Sequence, residues 1–260
     1  MKRRHLIELH EQPWFPAVWR RLFQLGLGKA QLTIGAYDNA VPKIADLLRS
    51  TGHREILDLC SGSAAVTANL RHGIAAELGE APRIVLSDLY PNLDAFRALE
   101  ADADGGIGFH PEPVDAFHPP DDAPRIRSIV AALHHFGPDD ARRILEDAAH
   151  HADGIVVLES TGRTWSNMLQ TLPLPIPAAL ITAFGLRPWR PSHLLWGLLL
   201  PVIPLVALWD GLVSNWRTYT PEELRAMTDS IDAPDFDWEV GTVPMAKAPL
   251  RTTYVIGRRR

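Results

Sequence analysis

Between Glu55 and Ser160 five short apolar runs alternate with amphipathic segments, and no other feature limits the fold of the chain as tightly. The runs are Ile56–Cys60, Ile84–Asp88, Phe109–Val114, Ile126–Leu133 and Ile155–Glu159. Helical patterning covers Val66–Leu78, Asn92–Asp102 and Pro138–Ala149, the last opened by Asp139 and Asp140, whose charges suit a helix N-terminus. Strand, covering helix and next strand in that rhythm build parallel βαβ units, so the expectation is a parallel sheet wrapped by helices.

The flanks read differently. From Trp14 to Arg49 the residues Val18, Leu22 and Leu25, then Ile44, Leu47 and Leu48, recur at helical spacing, with Pro13, Pro16 and Pro42 as punctuation. Trp165–Val213 carries almost no acid and is rich in Leu, Pro and Trp, which marks an insertion or lid. Thr220-Pro221-Glu222-Glu223 has the form of a capping box opening a short helix to Ile231. Phe236–Val243 and Arg251–Gly257 alternate as two closing strands, expected to form an antiparallel pair. One domain is expected for these 260 residues: a helical cap over 1–53, a ligand-binding core over 54–160, an apolar insert over 161–219, and a closing helix and strands over 220–260.

Composition excludes some functions. The net charge is −5 and the basic residues are scattered except at the two ends, so no basic track offers itself to nucleic acid. The single cysteine, Cys60, excludes internal disulfides, and Met1–His10 lacks the apolar stretch of a secretory signal. A cytoplasmic location is the expectation. Leu194–Leu208 is almost wholly apolar, but it falls short of the twenty or so residues needed to cross a bilayer and is broken by Pro201 and Pro204. With Leu172–Leu186 it reads as a helical hairpin around Arg187–Arg190, either a lid whose inner face is core, the wall of a lipophilic pocket, a dimer contact or a shallow membrane attachment.

Ligands of open α/β sheets lie outside the carboxyl ends of the strands, so the chemistry is sought in the turns that follow them. The first is Glu55-Ile-Leu-Asp-Leu-Cys-Ser-Gly-Ser-Ala-Ala65, a strand entering a small-residue loop that opens a helix. Ser61 and Gly62 let a ligand approach the backbone, and a helix N-terminus offers free N–H groups to a carboxylate. The second strand brings Asp88 and Leu89 to its end, one βαβ unit further on, where a carboxylate can accept from both ribose hydroxyls. The third is followed by Asp115-Ala116-Phe117. These turns resemble those of class I S-adenosylmethionine (SAM)-dependent methyltransferases, with their Rossmann-like, doubly wound sheet.

The resemblance implies SAM as cofactor and S-adenosylhomocysteine as product. It assigns cofactor contacts to Asp58, Ser61, Gly62, Asp88, Leu89 and Leu133, and to Asp115, Ala116 and Phe117 around adenine. Ala64 and Ala65 stand where further glycines are common in such proteins, so the turn is expected to avoid left-handed geometry there. A nicotinamide dehydrogenase would need a Gly-x-Gly-x-x-Gly turn to receive pyrophosphate, and Gly62 stands alone.

The fourth strand ends in Leu133-His134-His135-Phe136, and the fifth in Glu159. Either imidazole can accept a proton or orient a nucleophile near neutral pH, with Glu159 as its partner. Neighbours on a strand face opposite ways, so one of the two is expected to point at the substrate. Adjacent histidine pairs lack the i, i+4 spacing of a metal motif and Cys60 has no partner, so no structural zinc is expected.

Ile7-Glu8-Leu-His-Glu11-Gln12-Pro13-Trp14, Trp209-Asp210-Gly211 and Arg217-Thr-Tyr219 extend the likeness, to a bacterial group of such proteins, along nearly the whole chain. It implies that the N-terminal segment and the insert close over SAM, with Glu11, Trp14, Tyr37, Trp165, Arg217 and Tyr219 as substrate contacts. The expected reaction is methyl transfer to an oxygen or nitrogen of a small acceptor, in a monomer or homodimer. The alternatives are another use of SAM, releasing methylthioadenosine, and a SAM-binding module without catalysis.

Overall fold

The computed structural model describes residues 1–260. Its seven-stranded sheet has the order β3-β2-β1-β4-β5-β7-β6. The strands are β1 (Glu55–Leu59), β2 (Arg83–Leu86), β3 (Ile107–Phe109), β4 (Ile126–Val130), β5 (Gly154–Glu159), β6 (Phe236–Pro244) and β7 (Arg251–Arg259). Strands β1 to β5 pair in parallel, and β7 runs antiparallel to both β5 and β6. The chain winds outward from β1 to β3 and returns to lay β4 on the other side of β1, so the strand order reverses between β1 and β4. A crevice opens at such a point.

Strand alternation divides the core between two faces. Val156 and Leu158 of β5 join Ile56, Leu47, Leu48 and Ile74 on one side, while Ile155 and Val157 join Leu57, Leu59, Ile144 and Leu145 on the other. The first face is covered by α2 (Val41–Thr51), α3 (Ala65–Leu78) and α4 (Leu93–Asp102), the second by α5 (Pro138–His151) and α10 (Pro221–Asp229). The capping box of α10 forms as expected: Glu223 N–H donates to Thr220 Oγ1 at 3.3 Å and Thr220 N–H to Glu223 Oε2 at 2.9 Å.

Three strands depart from the expected runs, β2 ending at Leu86 instead of Asp88. β3 is Ile107–Phe109, lying before the expected run Phe109–Val114 and sharing only Phe109 with it, because Pro111 and Pro113 cannot donate to a ladder. β4 stops at Val130, not Leu133, because Ala131 turns to φ +56° and Leu133–His135 form a 3-10 turn.

The N-terminal and inserted helices pack together beside the carboxyl ends of the sheet. Here α1 (Ala17–Thr33) lies against α3 and against α7 and α9 of the insert. The insert comprises α6 (Trp165–Thr171), α7 (Pro175–Leu180) continued by a π turn Ile181–Gly185, α8 (Pro191–Leu194) continued by a second π turn Leu195–Leu199, and α9 (Val202–Arg217). The two apolar arms meet each other, as a hairpin must. Their outer surface is not core: Trp165, Leu169, Leu172, Ile176, Leu180 and Phe184, spaced by three or four residues, are all more than half exposed. No single helix is long and apolar enough to cross a membrane.

The glycine-poor turn contradicts its expected geometry. Ala64 has φ +54°, as do Cys60 (+58°) and Gly62 (+56°) to within a few degrees. Ala64 is pinned there because its N–H donates to Ser61 O at 2.7 Å and its carbonyl accepts from Ala68 N at 2.9 Å. A left-handed alanine costs about 1–2 kcal/mol, which glycine avoids. Ala64→Gly should therefore destabilise less than Ala68→Gly inside α3 by about 1 kcal/mol in urea unfolding. Equal losses at the two positions would contradict the left-handed assignment.

Candidate active site

A cavity of about 360 Å³ opens beyond β1 and β4 and beneath α1, within the usual size range of small-molecule sites. Four residues with positive φ line it: Cys60, Gly62, Ala64 and Ala131. The chain's other non-glycine residue in that region, Asp104, lies elsewhere. Backbone strain concentrated on one cavity marks a surface built for a ligand. Helix α1 reaches the turn through Gly28, where a Cβ would stand 2.8 Å from Ser63 Oγ.

The acids of the first two turns do different work. Asp58 follows Ile56 on the face of α3 and is fully buried, its oxygens accepting from Thr67 Oγ1 at 2.8 Å and Ser128 Oγ at 2.5 Å. It forms the floor under the turn. Asp88 is half-buried on the cavity wall, with Oδ2 accepting from Gly62 N–H and Oδ1 from Tyr90 N–H, both at 2.8 Å. It does not cap α4, whose cap is Asn92, accepting from Ala95 N–H. Ser61 Oγ donates to Asp58 O, and Leu89 lies half exposed along the cavity.

The expected adenine contacts lie outside the cavity. Because β3 ends early, Asp115 stands in the following loop with an exposed side chain accepting from Phe117 N–H, while Ala116 and Phe117 turn toward the second core. That loop remains tied to the site by Val114 N–H, which donates to Asp88 O at 2.9 Å. Leu133 is fully buried in the same core. Burial, with Asp88, Asp58 and Asp115 nearby, pushes the Cys60 thiol up, so it offers no thiolate nucleophile.

The cavity is also lined by imidazoles and a carboxylate, His10, His135 and Glu11, backed by a wall of further such groups. The 3-10 turn replaces the expected strand geometry, so the His134 and His135 rings lie side by side, 4.2 Å between centroids, instead of on opposite faces. His135 lines the cavity. His134 is buried behind it, Nδ1 being 2.8 Å from Glu159 Oε2 while its N–H donates to Glu159 Oε1 at 3.0 Å. Glu11 reaches the cavity beside His135, with Oε1 2.5 Å from Nδ1. Against the effect of burial, His135 and Arg217 hold the Glu11 carboxyl well below the usual range.

The other expected substrate residues do not line the cavity. Arg217 is buried in a supporting role, donating to both oxygens of Glu11 and to the carbonyls of His134 and His135. Tyr219 donates to Phe136 O at 2.7 Å beneath Arg3, and buried Tyr37 donates to Ser160 Oγ at 2.8 Å. Trp14 and Trp165 are 67% and 73% exposed on the outer surface. Sequence reasoning missed Glu8, His10 and Asp210 as members of the wall. Asp210 accepts from Leu9 N–H and His10 N–H and contacts His10 Nδ1 at 2.8 Å. Its signal was available, since it is the one acid in the stretch 165–213.

No protein-family model matches the chain, and no curated protein is similar to it in sequence. Solved structures are similar in fold. Human N-acetylserotonin methyltransferase in complex with SAM superposes at TM-score 0.54 and 15% identity, over 95% of this chain and 59% of that one. Magnesium protoporphyrin IX methyltransferase from Synechocystis, with bound SAM, gives 0.51 at 10% identity, over 99% of this chain and all of the other. Mitomycin 7-O-methyltransferase gives 0.51 at 20% identity, over 97% and 59%. The chain thus spans less than two thirds of some structures it matches. The fold is that of the class I SAM-dependent methyltransferases.

Burial raises Asp58 from 3.8 to about 6, against the pull of the Ser128, Ser61 and Thr67 hydroxyls. Between those values the folded protein keeps a proton that the unfolded chain has released, so this group's contribution to stability falls as pH rises through the window. Asp58→Asn should remove that slope, read as the difference between wild-type and variant unfolding free energies from pH 4 to 6. A difference that stays flat would refute the assignment.

Proposed function

We propose that the protein binds SAM in this cavity and transfers its methyl group to an oxygen or nitrogen of a small apolar acceptor. The observation that carries the reading is that one cavity at the switch point is lined both by the Gly62–Asp88 turn and by the His135–Glu11 pair. When bound, SAM supplies an electrophilic methyl. The residues fit such a group: the N-terminus of α3 suits its carboxylate, Asp88 has lone pairs left for ribose hydroxyls, and Leu89 and Tyr90 offer apolar surface. Asp115 and Ala116 follow Val114, which is tied to Asp88, and they remain our assignment for the adenine amine.

The remaining work is done by the chain's own groups. His135 accepts the acceptor's proton or orients its nucleophilic atom, with the Glu11 carboxylate beside its ring. His134 and Glu159 are positioning residues that hold the turn. Holding the two reactants in line within the pocket supplies most of the acceleration.

Asp88→Ala should weaken SAM binding roughly tenfold or more by calorimetry, as befits loss of hydrogen bonds to a charged group. His135→Ala should leave SAM binding nearly unchanged and lower S-adenosylhomocysteine release about a hundredfold across a panel of apolar alcohols, phenols and amines. Full turnover in His135→Ala would remove it from the chemistry, and release of methylthioadenosine would replace methyl transfer by another use of SAM.

The insert supports an apolar source for the acceptor. Thr164 to Trp209 contains no Asp or Glu, and its only full charges are Arg187 and Arg190, the reverse of the chain's overall −5. An apolar stripe beside arginines, with Trp165, Trp189 and Trp209 about half or more exposed, is suited to the headgroup region of an anionic bilayer. The protein should co-sediment with anionic phospholipid vesicles, and Leu169→Glu with Ile176→Glu should abolish this while leaving the fold intact. Failure to bind, with a dimer in sedimentation that the same pair dissolves, would make the stripe a subunit contact instead.

A further inference from the structure

The innermost part of the imidazole wall is more than a proton relay requires. Glu8 is fully buried, and its Oε2 accepts no hydrogen bond. Nδ1 of His135, although close to Glu11, has no aligned partner either. Glu8 Oε2 lies 3.6 Å from His135 Nδ1, and Glu8 Oε1 lies 3.6 Å from His134 Nε2. Hydrogen bonds of this type run at about 2.7–3.2 Å, so these atoms face one another without bonding. Two ligands about 2.1 Å from a common ion, at a tetrahedral angle, stand roughly 3.4 Å apart.

We propose that Glu8, His134 and His135 bind a divalent first-row transition metal, such as zinc, iron(II) or manganese(II), at the inner end of the cavity. Their ligand atoms all lie within 4.8 Å of one another. His134 is already oriented as a ligand, because Glu159 takes its Nδ1 and leaves Nε2 and its lone pair turned to Glu8. A carboxylate behind a ligating imidazole is the usual outer support of such sites. Two imidazoles and a carboxylate suit borderline metals better than calcium or magnesium.

The surroundings favour an added cation. Four carboxylates gather on these imidazoles, Glu8 and Glu11 beside the fully buried guanidinium of Arg217, Glu159 on His134 and Asp210 on His10. Arg217 is committed to both oxygens of Glu11 and reaches only Oε1 of Glu8, at 3.5 Å. A second grouping, Glu8 with His10 and Asp210, is the weaker ligand set, because His10 already bonds Asp210 and Asp210 already holds the backbone of Leu9 and His10. Those two fix the segment that carries Glu8.

Such an ion rests on, and deepens, the reading of the wall as the element that activates the acceptor. Beside His135 it can ionise an acceptor hydroxyl by coordination, with Glu11 or solvent taking the proton. It also departs from the expectation, drawn from histidine spacing, that the chain holds no metal. The ligands come from residue 8 and from the turn after β4, so no local spacing announces them.

Metal content can be read directly. Protein purified without chelators should carry about one equivalent of zinc, iron or manganese by elemental mass spectrometry. After chelation and dialysis, Co²⁺ should restore about one equivalent with a visible ligand-field spectrum. Glu159→Gln should weaken Zn²⁺ binding by roughly 10–100-fold in calorimetry, Glu8→Gln should abolish it, and His151→Ala on the surface should change nothing. Wild-type protein that is folded by circular dichroism, yet retains no metal and gives no Co²⁺ spectrum, overturns the proposal; so does binding that only His151→Ala removes. SAM affinity measured on the same samples keeps the two readings apart, since loss of metal binding with SAM binding intact rejects only this one.

Discussion

The hydrogen bond from Gly62 N–H to Asp88 Oδ2 joins the ends of the first two strands, and the cavity exists because that junction holds. It is reinforced by Ser61 N–H on Ser87 O and Ser87 N–H on Asp58 O, both at 2.9 Å, so β1 and β2 stay paired beyond the last ladder residue. Left-handed geometry at Cys60, Gly62 and Ala64 is the consequence. Two of those residues carry side chains, and their combined cost of a few kcal/mol is offset by burial of Ala64 and by the bonds that fix the loop. A turn of flexible glycines would reach the same shape with less strain but more entropy to lose on folding.

The imidazole wall is built by a different principle. Nothing in the sheet itself carries Glu8, Glu11, His10 or Asp210; they arrive on the N-terminal segment and on α9 and are gathered around Arg217. Arg217 links three parts of the chain, since it bonds Glu11, both histidine carbonyls and, through its own carbonyl, Arg3. A residue read from the sequence as a substrate contact is thus the pin that orients the residues facing the cavity. The buried charges are tolerable because most are paired, while Glu8 Oε2 and His135 Nδ1 lack an aligned partner.

Legibility of the chain follows physical locality. Four of the five parallel strands are readable because each is a short apolar run, and the capping box of α10 because its residues are three apart. The end of β3 is not, because apolar Phe109 and Val114 bracket two prolines whose missing N–H groups matter more than hydropathy. Ala64 misleads because propensity forbids what three local hydrogen bonds impose. His134 and His135 can be placed at the right end of the sheet, but their relative orientation depends on one residue, Ala131, turning left-handed. The membership of the wall cannot be read at all, because it joins residues some two hundred positions apart.

The insert completes the logic of the site by joining its two environments. Its inner side meets α1 through Leu22, Phe23, Ile203 and Val206, and α9 delivers Asp210 and Arg217 to the wall. Its outer side is a row of exposed apolar residues. Helix α1 therefore stands between the strained cofactor-sized pocket, which its residues line, and the inner side of the insert. The buried part of the wall, Glu8, Glu159 and Arg217, lies at low dielectric, where each charge on it counts for more than it would in solvent.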